Sequence, residues 1–152
     1  MTDPTPMQTL VQLAEQEAEK QARRMGAARL AHQENTQKLE QLLLYRQDYE
    51  NRYQQGMQSG IGMSYHLNYR EFMLRLDEAI IGQQGLVSQT ESRLQAEHQA
   101  WQEAERKRLS FRTLVEREQA AQMQQEQRRE QKASDEHATR MVGRQMHLNQ
   151  EN

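Results

Sequence analysis

The side chains that could do chemistry are present, but none stands at a spacing that chemistry uses. Five histidines, at 32, 66, 98, 137 and 147, are scattered along the chain. A zinc site needs ligands that converge from short spacings, such as HExxH or paired cysteines. This sequence has no HExxH and no cysteine. It has no GxSxG either, and no Ser-His-Asp grouping that a helical chain could assemble. The 22 Asp and Glu are interleaved with 20 Lys and Arg, the pattern of solvated helix faces. Gly60-Ile61-Gly62 has the look of a phosphate loop, but no strand precedes it, the third glycine is missing and no lysine follows. No catalytic residue, no metal ligand and no cofactor is therefore expected.

The aromatic residues carry more information. There are eight in the chain, and six of them, Tyr45, Tyr49, Tyr53, Tyr65, Tyr69 and Phe72, fall within a short window around the glycines. Leu42, Leu43, Leu44, Met73, Leu74, Leu76, Ile80 and Ile81 join them. The seam of a two-stranded coiled coil takes about two apolar residues per heptad. This window holds more, so some of these side chains must point away from the seam. Exposed apolar groups gathered in one place are expected to bind a partner.

What positions them follows from composition. Only 35% of residues are hydrophobic and mean hydropathy is −1.14, too little for a compact core. Both prolines, Pro4 and Pro6, stand at the N-terminal side, and the remainder is rich in Gln, Glu, Ala, Arg and Leu, all good helix formers. The fold class is all-α: two long helices in an antiparallel coiled-coil hairpin, read as one domain over 1–152. A net charge of −2 without a basic face argues against nucleic acid as a partner. No stretch of 18 apolar residues exists to span a membrane, the first residues lack the features of a signal peptide, and the absence of cysteine fits a reducing compartment. The expected location is cytoplasmic.

Helix 1 is predicted over about 7–55, after a cap at Thr5 or Thr9, with a seam in steps of three and four from Val11 to Tyr53. Three glycines within 56–62 mark the reversal, with the loop over about 56–63. Helix 2 is predicted over about 64–140, with 141–152 disordered. Its seam reads Tyr69, Phe72, Leu76, Ala79, Gln83, Leu86, Thr90 and Leu94, continuing to Val115. Gly82 and Gly85 fall within this helix and mark either a bend, a close approach or tolerated glycines. Facing positions add to a near-constant number, about 121 for Tyr49 with Phe72 and Leu42 with Ala79, and about 122 for Ala28 with Leu94, Ala18 with Ala104 and Val11 with Phe111. Helix 1 runs out opposite about position 115. The polar segment beyond it has no partner in the chain and is expected to be frayed or completed by another protein.

Taken together, these segments resemble the FliJ family of the bacterial flagellar type III export apparatus. The resemblance rests on TLVQLAEQE at 9–17, LEQLLLYRQDY at 39–49, the Gly60-Ile61 reversal and NYREFMLRLDEAI at 68–80, and it covers nearly the whole chain. It implies a non-enzymatic two-helix coiled coil similar to the central stalk of rotary ATPases. It implies as partners the hexameric export ATPase (FliI-like), entered by the terminal end of the coiled coil, the linker of the export-gate membrane protein (FlhA-like), bound by the loop-side surface, and export chaperones. Neither nucleic acid nor a small-molecule substrate is implied, and attachment to the membrane-embedded gate would be peripheral. Carried over by position, the gate contacts are Leu42, Tyr45, Tyr49, Phe72, Leu76, Ala79 and Gln83. The ATPase-facing set at the terminal end is Leu10, Leu13, Phe111, Leu114 and Val115. Gln83 stands where some members carry His, and Lys38 where Gln is expected. The equivalent stalk of a virulence-type secretion system and a helical secretion chaperone are the alternative readings.

Overall fold

The computed structural model describes residues 3–60 and 62–151. Two α-helices make the fold, α1 over Pro6–Ser59 and α2 over Met63–Gln150. The α1 start is a reciprocal cap. Gln8 N donates to Thr5 Oγ1 at 3.2 Å, Thr5 N donates to Gln8 Oε1 at 3.1 Å, and Pro6 occupies the first turn, where a missing N–H costs nothing. Between the helices the chain reverses at Gly60, whose φ of 81° is a left-handed conformation that suits glycine. Ile61, part of the expected reversal, lies outside the described residues, as does Asn152.

The chain divides into two compact units, one of Glu15–Arg106 and one that joins Met1–Ala14 to Lys107–Asn152. Glu15–Arg106 is an antiparallel hairpin. On its α1 strand every predicted seam position, from Ala18 through Ala28 and Leu42 to Tyr53, is buried or half-buried. On α2 the covered positions include Tyr69, Met73, Leu76, Ile80, Gln83, Val87, Thr90, Leu94, Glu97, Trp101 and Ala104, an unbroken alternation of four and three.

That alternation corrects the predicted α2 seam at three places. Met73, Ile80 and Val87 occupy the seam where Phe72, Ala79 and Leu86 were expected; Ala79 and Leu86 are exposed, and Phe72 is half-buried on the flank. Each corrected position is one of two adjacent apolar residues, and periodicity alone does not choose between neighbours. With the correction, facing seam residues add to 122 throughout, as in Tyr53 with Tyr69, Leu42 with Ile80 and Ala18 with Ala104.

The core is uneven. Met73, Leu76 and Ile80 form the one buried apolar cluster among the described residues, with Leu39, Leu42, Tyr49, Tyr69 and Phe72 packed against it. Further from the reversal the seam turns polar. Gln83 Nε2 donates to Asn35 O at 2.9 Å and to Asn35 Oδ1 at 3.1 Å, and His32 Nδ1 meets Thr90 Oγ1 at 3.1 Å. Glu97 is buried and takes a hydrogen bond from Arg24 Nη2 at 3.1 Å. Such layers contribute little net stability but fix register, because a slip would strand the Glu97 carboxylate without its cation.

In the second unit Met7, Val11 and Ala14 of α1 and Arg108, Phe111 and Val115 of α2 are half-covered. Past Val115 every described residue is exposed. The helix nevertheless continues to Gln150, ten residues beyond the predicted end near 140, where disorder was expected. Residues 141–150 contain no proline and one glycine among Met, Arg, Gln and Leu, so local propensity carries the helix without a partner.

Gly82 and Gly85 are tolerated helical glycines. α2 runs through both unbroken, and a Cβ on either would meet nothing within 4 Å. Gly82→Ala is expected to raise stability by about 1 kcal/mol, whereas Gly60→Ala loses about 1 kcal/mol because it forces an L side chain into the left-handed region. Urea unfolding followed by circular dichroism reads both. A loss at Gly82 or a gain at Gly60 would contradict these assignments.

Candidate functional site

The loop end of the hairpin gathers five of its six aromatic residues into one continuous row, with Tyr65 exposed outside it. Tyr53 and Tyr69 stack with ring centroids 3.7 Å apart, and Tyr49 stacks on Tyr69 at 5.7 Å. Tyr49 meets Phe72 at 4.4 Å, and Tyr45 closes the row against Phe72 at 6.1 Å and Tyr49 at 6.2 Å. The Tyr53 hydroxyl hydrogen-bonds His66 Nδ1. Steps of four along α1 bring Tyr45, Tyr49 and Tyr53 to one side, and the antiparallel register lays Phe72 and Tyr69 across from them.

The row passes from seam to surface. Burial holds the Tyr69 phenol above its ordinary pKa, and the Glu50 carboxylate adds to the effect. Tyr49 is half-buried, and Tyr45 is 50% exposed. Beside the row lies a charged flank. Arg46 Nε donates to Asp77 Oδ1 at 2.6 Å and Arg46 Nη1 donates to Glu50 Oε2 at 3.4 Å; the bond to Asp77 raises the guanidinium pKa. Aromatic side chains are thus presented next to a fixed ion-pair cluster, an apolar contact area with a polar rim.

The residues singled out as gate contacts fall into three situations. Tyr45 and Ala79 are exposed. Leu42, Tyr49 and Phe72 are half-buried and present one edge. Leu76, at 7% exposure, belongs to the core, and the Gln83 amide is engaged across the seam with Asn35. The more exposed apolar side chains at this end are others: Met63, then Leu44, Leu74 and Ile81, each about two-thirds exposed, and Leu67. Leu67, Leu74 and Ile81 repeat every seven residues, which puts them on one line of α2. That spacing was the signal available for Leu67, which the sequence reading did not single out.

In the second unit Leu10, Leu13 and Leu114 are exposed while Phe111 and Val115 are half-covered. The five expected ATPase-facing residues thus stand in one unit, three of them as open leucines. Among the described residues no group of three or more His, Cys, Asp or Glu could hold a metal ion. No helix is long and apolar enough to cross a membrane.

The sequence profile of the family described as Flagellar FliJ protein matches residues 3–147. The chain belongs to the FliJ family. It is 31% identical over 144 residues to the Flagellar FliJ protein of Escherichia coli K12, covering 95% of this chain and 98% of that protein. It is 30% identical over 138 residues to the Flagellar FliJ protein of Salmonella typhi, covering 91% and 94%. FliJ proteins are components of the flagellar export apparatus, so this hairpin is one too. The match takes in both helices and both candidate surfaces.

Proposed function

We propose that the chain is a non-enzymatic coupling stalk of the flagellar export apparatus. The loop-end surface, with Tyr45 at the exposed end of the aromatic row and with Phe72 and Ala79, binds the linker of the export-gate protein. The Leu10, Leu13, Phe111, Leu114 and Val115 set engages the ring of the export ATPase and promotes its activity, and the stalk also handles export chaperones. It works at the cytoplasmic face of the inner membrane, held there by the gate. The observation that carries this reading is the surplus of exposed aromatic and aliphatic side chains at the loop end, beyond what a two-helix seam needs. The flagellar names of both relatives favour this organelle over a virulence-type secretion system.

The exposed stretch of α2 supplies the test of the ATPase side. A helix with no covering partner opens readily. Amide exchange in 116–150 is expected to be fast in the free protein and to slow when the export ATPase is added. Equal exchange in both conditions would reject docking of this end in the ring. Tight binding to one export substrate with no effect on the ATPase would favour the secretion-chaperone reading instead.

A further inference from the structure

The last turns of α2 separate charge from apolar surface in a way that the rest of the exposed stretch does not. Residues 137–150 contain no Asp or Glu, as is also true of 20–33 and 51–70, but those two stretches lie in the paired hairpin whereas this one is exposed throughout. At 100° per residue, His137, Arg140, Arg144 and His147 fall within an arc of about 80°. Ala138, Met141, Val142, Met146 and Leu148 fall within a separate arc of about 160°. Met141, Val142, Met146 and Leu148 are each more than half exposed. The basic arc borders the Met141 and Leu148 edge, so arginine stems can lie along it while their guanidinium groups stay in water.

We propose that this segment is a binding surface for an anionic membrane, its apolar arc entering the headgroup layer and its Arg140 and Arg144 side meeting lipid phosphates. Charge complementarity favours that occupant: a cationic, acid-free stretch suits a negatively charged surface. An acidic protein offers the same charge, but a lone helix presents no groove to recognise one, and four flexible or small apolar side chains adapt to acyl chains without a matching pocket. The proposal goes beyond partner binding by the stalk and needs neither the gate nor the ATPase.

The test is co-sedimentation of the full chain with vesicles of phosphatidylcholine mixed with phosphatidylglycerol, and with phosphatidylcholine alone. The expected result is binding to the anionic vesicles only, weakened by salt. Arg140→Gln with Arg144→Gln should lower partitioning about thirtyfold. Met141→Ser with Met146→Ser should lower it as well, with helix content unchanged by circular dichroism. No binding of the parent chain to anionic vesicles would overturn the proposal and leave an acidic protein as the occupant. Undiminished binding of the arginine variant would overturn it, and so would undiminished binding of the methionine variant, which would mean attraction by charge alone.

Discussion

Leu76→Ala is expected to destabilise the hairpin by about 2–5 kcal/mol, the largest loss that a single truncation should produce here. Leu76 is 7% exposed and sits between Met73 and Ile80 in the one apolar cluster among the described residues. The remaining buried apolar residues are Ala18, Ala28 and Ala104, which have little side chain to remove. A typical domain is stable by only about 5–15 kcal/mol, so this one change takes a large share. Urea unfolding by circular dichroism should show an earlier midpoint for the variant. A loss below about 1 kcal/mol would mean that the cluster does not hold the loop end together. Weakened partner binding in this variant would report folding, since the leucine itself is covered.

The architecture was legible because coiled-coil rules are local and repetitive. Steps of three and four, one run of glycines and a constant facing sum were enough to give two helices, their direction and nearly their register. Where two apolar residues adjoin, as at Ala79 with Ile80 and Leu86 with Val87, either can be read onto the seam, and there the reading slipped by one. Burial resolves it: Ile80 and Val87 lie on the seam, while the smaller Ala79 and the larger Leu86 are left outside, so side-chain size alone does not decide the phase. The end of α2 was misjudged for a related reason. The sequence offered no partner beyond 115, and the expectation of disorder past 140 weighed that absence above the propensity of the residues present.

The candidate surface was legible in outline but not residue by residue. An excess of apolar side chains in one window can be counted from sequence. Which of them are surplus depends on the seam phase; Leu76, read onto the seam from its spacing and carried into the gate set by the resemblance, is core. Leu44, Leu74 and Ile81, noted only as part of the surplus, are more open than the carried-over gate contact Tyr45. The Gln83 bond to Asn35 could not be read at all, since it depends on side-chain geometry across the two helices.

Tyr45 separates binding from folding better than any other residue in the set. It is half exposed and touches the aromatic row only at its end, with centroids 6.1 Å from Phe72 and 6.2 Å from Tyr49. Such ring pairs contribute about 0.5–1.5 kcal/mol, so Tyr45→Ala should cost about 1 kcal/mol and leave the hairpin folded. As an aromatic anchor at an interface it should carry about 2 kcal/mol or more of binding, a loss of at least about thirtyfold in affinity for the gate linker. The ATPase-facing residues belong to the other unit, so stimulation of the export ATPase should hardly change. The decisive measurement is therefore one pair of assays on the full-length Tyr45→Ala chain, its affinity for the cytoplasmic domain of the export gate and its stimulation of the ATPase. The stalk account predicts that the first collapses and the second persists. A folded variant that still binds the gate at parent affinity, or one that loses both activities together, would contradict it.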